Sequence, residues 1–221
     1  MKIGVVIQGP TNYFDQVVRN VSGVDADFVW STWDDEPSFN VKKIKEAMNV
    51  VQIKKPSDPG FGNVNLQCSS TTAGIESLKN EMILKIRSDM IVDDWELFLS
   101  ILKNKSKLTF LCAHNIWQLG IKYAVDYISF GNKETMQTFW YYSDDGRDQH
   151  PAEVKILRNY CEKAGFKNFD AALRSFDYFL ADMRNSNLKI NWLKQGIELS
   201  DYIFNKDYVA STGSAEIIFI S

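Results

Sequence analysis

The chain has 221 residues, 45% hydrophobic and 24% charged, with a formal net charge of -3 and an isoelectric point near 5.5. That length supports one substantial core and is short for two. The acidic balance gives no general attraction to nucleic acid, whose binders carry a basic face, and no stretch approaches the roughly 18 apolar residues of a membrane span.

Ile3 to Ile7 reads as a first strand, broken by Gly9 and Pro10, and Asn12 to Val21 as a helix with Thr11 or Asn12 as its cap. Phe28 to Trp33 is a second strand, ending at Asp34 and Asp35. Val41 to Met48 is a short helix and Val50 to Ile53 a third strand, followed by a loop punctuated by proline and glycine over residues 55 to 63. A polar helix from Val64 to Leu78 leads to the strand Met82 to Ile86. Trp95 to Leu102 has helical spacing, and Leu108 to Ala113 is another strand. Asp126 to Phe130 is a strand closed by Gly131, with a helix from Lys133 to Tyr142 after it. Residues 143 to 151 form a polar loop, a candidate flap over a site. Pro151 opens a helix that Gly165 ends, and Ala172, Leu173, Phe176, Leu180 and Met183 mark one more helix. Short strand-like pieces run from Trp192 to Ile220.

Alternating strands and helices imply right-handed βαβ units. The expected fold is α/β, Rossmann-like, with a mostly parallel central sheet flanked by helices in a single domain. In such sheets ligands bind beyond the carboxyl ends of the strands. Three polar clusters fall at those ends: Gln8, Gly9, Pro10 and Thr11; Asp34 and Asp35; and Arg87, Ser88 and Asp89. The last is the most informative, because an apolar run ends there in a guanidinium beside a carboxylate. A carboxylate suits a divalent cation held against a diphosphate, and an arginine suits the phosphate oxygens. The alternative is a structural ion pair between Arg87 and Asp89. Asn65 and Gln67 open the third helix amid an unusual density of amides and hydroxyls, suited to a hydroxyl-rich ligand or to capping. An acceptor hydroxyl needs a base if the reaction inverts. Glu153, behind His150 and Pro151, is the first candidate, followed by Asp144, Asp145 and Asp148.

Cys68, Cys112 and Cys161 lie more than 40 residues apart, without zinc-knuckle or redox spacing, and read as reduced structural thiols. The apolar stretch at the N-terminus is too short for a signal-peptide core, so a soluble, cytosolic protein is expected. Phe139, Trp140, Tyr141 and Tyr142 read as core or substrate platform, with peripheral contact at a membrane surface as the alternative.

At VVIQGP (5 to 10), VWSTW (29 to 33), DPG (58 to 60), NLQCSST (65 to 71), LKIRSDM (84 to 90) and DYISFG (126 to 131), the chain resembles the WavE lipopolysaccharide synthesis family of bacterial surface-polysaccharide proteins. HPAE, 150 to 153, is similar to a later element of that family. The resemblance implies a glycosyltransferase of the GT-A type. It would act on a nucleotide-sugar donor and on a lipopolysaccharide, capsular or other glycan or glycolipid acceptor, in the cytoplasm or peripherally at the inner membrane. It also implies a nucleotide-binding half, 1 to 113, and an acceptor-side half, 114 to 221. Asp89 then corresponds to the last acid of an Asp-x-Asp motif that holds Mg²⁺ or Mn²⁺, and Gln8 to Thr11 with Asp34 or Asp35 to the nucleotide pocket. Arg87 replaces the usual first acid, which leaves a metal-independent enzyme with Arg87 on the diphosphate as an alternative. A sugar nucleotidyltransferase would ordinarily carry a basic, glycine-rich loop after the first strand, which QGPTNYFDQ lacks. A non-catalytic nucleotide- or glycan-binding subunit would bind donor without turnover.

Overall fold

In the computed structural model, which describes residues 2–116, 121–125, 127–143, 150–199 and 215–218, the first ninety residues alternate strand and helix as their sequence predicts. β1 (Gly4–Gln8), α1 (Phe14–Val21), β2 (Asp27–Trp33), α2 (Ser38–Lys45), β3 (Asn49–Ile53), α3 (Val64–Ser77) and β4 (Met82–Arg87) follow in turn. Next come β5 (Met90–Val92), α4 (Trp95–Lys103), β6 (Thr109–Phe110), β7 (Ala113–Ile116), β8 (Ile121–Ala124), β9 (Ile128–Asn132) and α5 (Lys133–Trp140). The remainder is α6 (Ala152–Ala164), α7 (Phe169–Ser175), β10 (Asp177–Tyr178), α8 (Leu180–Ser186), β11 (Ile190–Trp192), β12 (Ile197–Glu198) and β13 (Ala215–Ile218).

The fold is α/β. A seven-stranded sheet runs in the order β10-β6-β9-β4-β1-β2-β3, and β9 alone opposes the direction of the rest. From β1 the chain winds outward to β2 and β3, then returns to place β4 on the other side of β1. The strand order therefore reverses between β1 and β4, and a crevice opens beyond their carboxyl ends.

Both faces of this sheet are covered, as a parallel sheet requires. Val5, Ile7, Leu84 and Ile86 point to one core with Trp95, Phe98 and Phe179, whereas Val6, Val29 and Ile83 point to the other with Ile75, Phe139 and Leu173. Gly74 of α3 lets that helix settle on β1, since a Cβ there would stand 2.4 Å from Val6 Cγ1. Two small sheets flank the main one: β12-β11-β5 and β13-β7-β8.

Three expectations change. The helix expected over 172 to 183 is two, α7 and α8, separated at Phe176 by β10, which pairs with β6; both pieces keep their apolar residues buried. The strand expected over 108 to 113 divides between β6 in the main sheet and β7 in a small one. Neither Thr11 nor Asn12 caps α1. Its N-cap is Tyr13, without a side-chain bond, because the Thr11 hydroxyl is engaged elsewhere. Phe139 and Trp140 are core, Tyr142 is half-buried and Tyr141 is exposed. Among the described residues no helix is long and apolar enough to cross a membrane.

Candidate active site at the carboxyl ends of β1 and β4

β1 and β4 pair in register, Gln8 opposite Arg87, so the residues after each strand face one another across the switch point. The Ser88 amide donates to the Gln8 carbonyl (2.8 Å), and its hydroxyl donates to the Pro10 carbonyl (2.8 Å). This closeness is why a glycine stands at position 9: its φ is 129°, and a Cβ would meet Ser88 Oγ at 2.6 Å. The Gln8 side chain donates to Ser70 Oγ of α3 (3.0 Å).

Around this junction lies a cavity of about 550 Å³. Of the residues expected in a site, Gln8, Gly9, Pro10, Gln67, Arg87, Ser88 and Asp89 line it. Five others do not. Thr11 is buried, with its amide and hydroxyl both donating to Glu36 Oε2 (3.0 and 2.6 Å). Asp34 and Asp35 are exposed outside the cavity, Asp35 lying 3.8 Å from Lys55 Nζ. Asn65 is buried and donates to the Asp58 carbonyl (3.2 Å). Glu153 sits half-buried in the first turn of α6. That helix start is close to the cavity, because Ala152 N is 3.4 Å from where a Cβ on the lining residue Gly62 would stand. Asp144, Asp145 and Asp148 lie outside the described residues.

Trp33 and Glu36, which flank Asp34 and Asp35, line the cavity, and it also has walls that the sequence reading passed over: Tyr13, Lys55, Lys85 and Lys194. Lys85 left a signal. A lysine inside the buried strand MILKIR is abnormal, because lysine is almost never fully buried unless partnered. Here it is 0% exposed, with Nζ 4.6 Å from the centroid of the Trp140 ring. Trp140 Nε1 in turn donates to Ser129 Oγ (3.1 Å), and Ser129 is the β9 register partner of Lys85. Lys194 left none, since it follows β11 far along the chain.

Arg87 and Asp89 form a two-pronged ion pair. Nε donates to Oδ1 (2.9 Å) and Nη2 to Oδ2 (2.7 Å), while Trp192 Nε1 also donates to Oδ2 (2.9 Å). The guanidinium carbon lies 5.5 and 5.2 Å from the ring centroids of Tyr127 and Trp192. Burial pushes the Asp89 carboxyl up, but the Arg87 hydrogen bonds and charge, with the Trp192 N–H, outweigh it and hold the group below its ordinary value. The Asp89 carbonyl accepts from Leu193 N (2.8 Å), extending the pairing of β5 with β11.

These contacts bear on the expected Mg²⁺ or Mn²⁺. Both Asp89 oxygens already accept hydrogen bonds. A divalent ion ligated there would sit roughly 4 Å from the guanidinium, a repulsion of about 8 kcal/mol at an effective dielectric of about 20. Glu36, the other carboxylate among the described residues of the cavity wall, is committed to Thr11. Among the described residues no three acidic, histidine or cysteine groups come together as a metal site. The donor set around Asp89 therefore does not fit a resident divalent ion in this arrangement.

A larger concavity, about 940 Å³, lies at the opposite edge of the sheet, between the amino ends of β2 and β3 and the carboxyl ends of α1 and α3. It is a groove between turns, away from the switch point.

The class that this fold defines is that of α/β proteins with a crevice at a topological switch point. No protein-family model and no curated protein matches the sequence, so the resemblance to the WavE family rests on short motifs. Among solved structures, the chain is similar to S. aureus TarS residues 1–349, at 12% identity over 72% of this chain and 55% of that one, with a TM-score of 0.49. It is also similar to the mannosyltransferase PcManGT from Pyrobaculum calidifontis, solved with GDP-Man and Mn²⁺, at 6% identity over 80% and 54% (TM-score 0.48). A third is a putative glucose-1-phosphate thymidylyltransferase from Bacillus anthracis, at 12% identity over 80% and 86% (TM-score 0.45). The chain thus spans about half of the first two, and likeness of this degree says nothing about substrate.

Proposed function

We propose that the chain is a nucleotide-sugar-dependent glycosyltransferase, passing a sugar from a nucleoside diphosphate to a glycan or glycolipid hydroxyl. The WavE-like motifs support a bacterial lipopolysaccharide or capsular polysaccharide as that acceptor. One observation carries the reading. The carboxyl ends of β1 and β4 meet at the switch point in a cavity bordered by the amide of Gln8, the aromatic rings of Tyr13 and Trp33, and several cationic side chains.

In the transfer, the bond from the anomeric carbon to the phosphate oxygen breaks and a bond to the acceptor oxygen forms. Negative charge develops on the leaving diphosphate, which fixed positive groups stabilise without reorganising. Arg87 is such a group: its ion pair and aromatic bed hold it in place. If the reaction inverts, the acceptor proton goes to a carboxylate, for which Glu153 is the proposed base, supported by the closeness of the α6 start to the cavity.

The test is a panel of UDP-, GDP-, CDP- and TDP-sugars incubated with glycolipid acceptors, with the released nucleoside diphosphate measured. One donor is expected to turn over, and Glu153→Gln to abolish transfer while leaving donor binding intact. Donor binding without turnover on any acceptor would favour a non-catalytic binding subunit instead.

A further inference from the structure

We propose that the cavity neutralises the donor diphosphate with four cationic side chains, Lys55, Lys85, Arg87 and Lys194, in place of a divalent ion, and that Asp89 is a positioning residue and not a metal ligand. The inference rests on the nucleotide-sugar reading and adds the chemistry by which the diphosphate is held.

Three observations carry it. The first is the charge of the cavity: among the described residues four cations and two carboxylates line it, with Asp35 outside it 3.8 Å from Lys55, on a protein whose formal net charge is -3. That local excess of positive charge favours an anion at this place. The second is that both carboxylates are committed within the protein, Glu36 to Thr11 and Asp89 to Arg87 and Trp192. A divalent ion would have to displace a guanidinium to reach Asp89.

The third is what Asp89 holds. Through its carbonyl and Oδ2 it fixes Leu193 and Trp192, the two residues before Lys194, and through both oxygens it fixes Arg87. One residue thus ties down Arg87 and the two residues that lead into Lys194. Lys85 stands at the wall with its ammonium over Trp140, out of bulk water, where attraction to an anion is little screened.

The experiment is isothermal titration of the full chain with UDP, GDP, CDP and inorganic pyrophosphate, in EDTA and again in excess Mn²⁺. One nucleoside diphosphate is expected to bind in EDTA, with an affinity that Mn²⁺ changes by less than about threefold. Lys194→Ala and Lys55→Ala, both at exposed positions, should each weaken it by about tenfold, and Lys85→Met by more. Lys103→Ala, exposed on α4 away from the cavity, should leave it unchanged.

Binding that is lost in EDTA and restored by Mn²⁺ overturns the inference and leaves the transferase reading standing. Binding that neither Lys194→Ala nor Lys55→Ala weakens, or that Lys103→Ala weakens equally, overturns the cationic set. No binding of any diphosphate in either medium overturns the inference and the nucleotide-sugar reading together.

Discussion

Replacing Asp89 by alanine separates a carboxylate that holds the fold from one that waits for a metal. The substitution removes two hydrogen bonds from Arg87 and one from Trp192, and it takes the Asp89 carboxylate away from a guanidinium that is only 26% exposed. Removing one partner of a buried pair costs about 3–5 kcal/mol, and the part-exposure of Arg87 places this case near 3. For a chain of this size that corresponds to a fall in Tm of about 6–12 °C, measurable by circular dichroism in EDTA. The effect also has a pH signature. The folded-state value of Asp89 lies below its unfolded value, so its contribution is complete above about pH 4–5 and is lost as pH falls through the folded value. The gap in urea stability between wild type and Asp89→Asn should hold from about pH 8 to 5 and narrow below about pH 4. A metal ligand would behave otherwise: its removal would leave the metal-free protein as stable as before. A fall in Tm of less than about 2 °C in EDTA, or a gap that does not narrow in acid, would refute the ion-pair reasoning.

Gly74→Ala should destabilise the chain by about 1–3 kcal/mol, since its methyl would stand 2.4 Å from Val6 Cγ1 and 3.1 Å from Ser31 Cβ; a lowered urea midpoint at unchanged slope checks this. The three cysteines are all buried, and burial pushes Cys161 up to about 11 and Cys112 higher. A thiol reagent at pH 8 should find fewer than about one reactive thiol per native chain and all three in urea.

The sequence made the order of strands and helices legible as far as β4, because each strand there is apolar, short and closed by polar or turn residues. It also placed Gln8, Ser88 and Arg87 at the crevice, since β1 and β4 are adjacent parallel strands whose carboxyl ends meet where the strand order reverses. Beyond a strand end the period of two no longer governs direction. That is why Asp34 and Asp35 turn outward while Glu36, one residue on, faces the cavity wall. Apolar spacing could not separate one helix over 172 to 183 from two, because α7 and α8 bury the same residues that a continuous helix would. The fate of Asp89 was one of two readings left open by Arg-Ser-Asp. The ion pair with Arg87 is local, but the tie to Trp192, 103 residues away, is one that no local pattern reveals.

That separation has a consequence for the order of assembly. The β1 to β4 core is built from neighbouring segments, each joined by a short crossover. The clamp on Asp89 closes only when β11 reaches β5, a return of about 100 residues with the corresponding loss of chain freedom. While the chain emerges from the ribosome, the first four strands are complete well before Trp192 and Lys194 exist. The floor of the cavity therefore predates its rim.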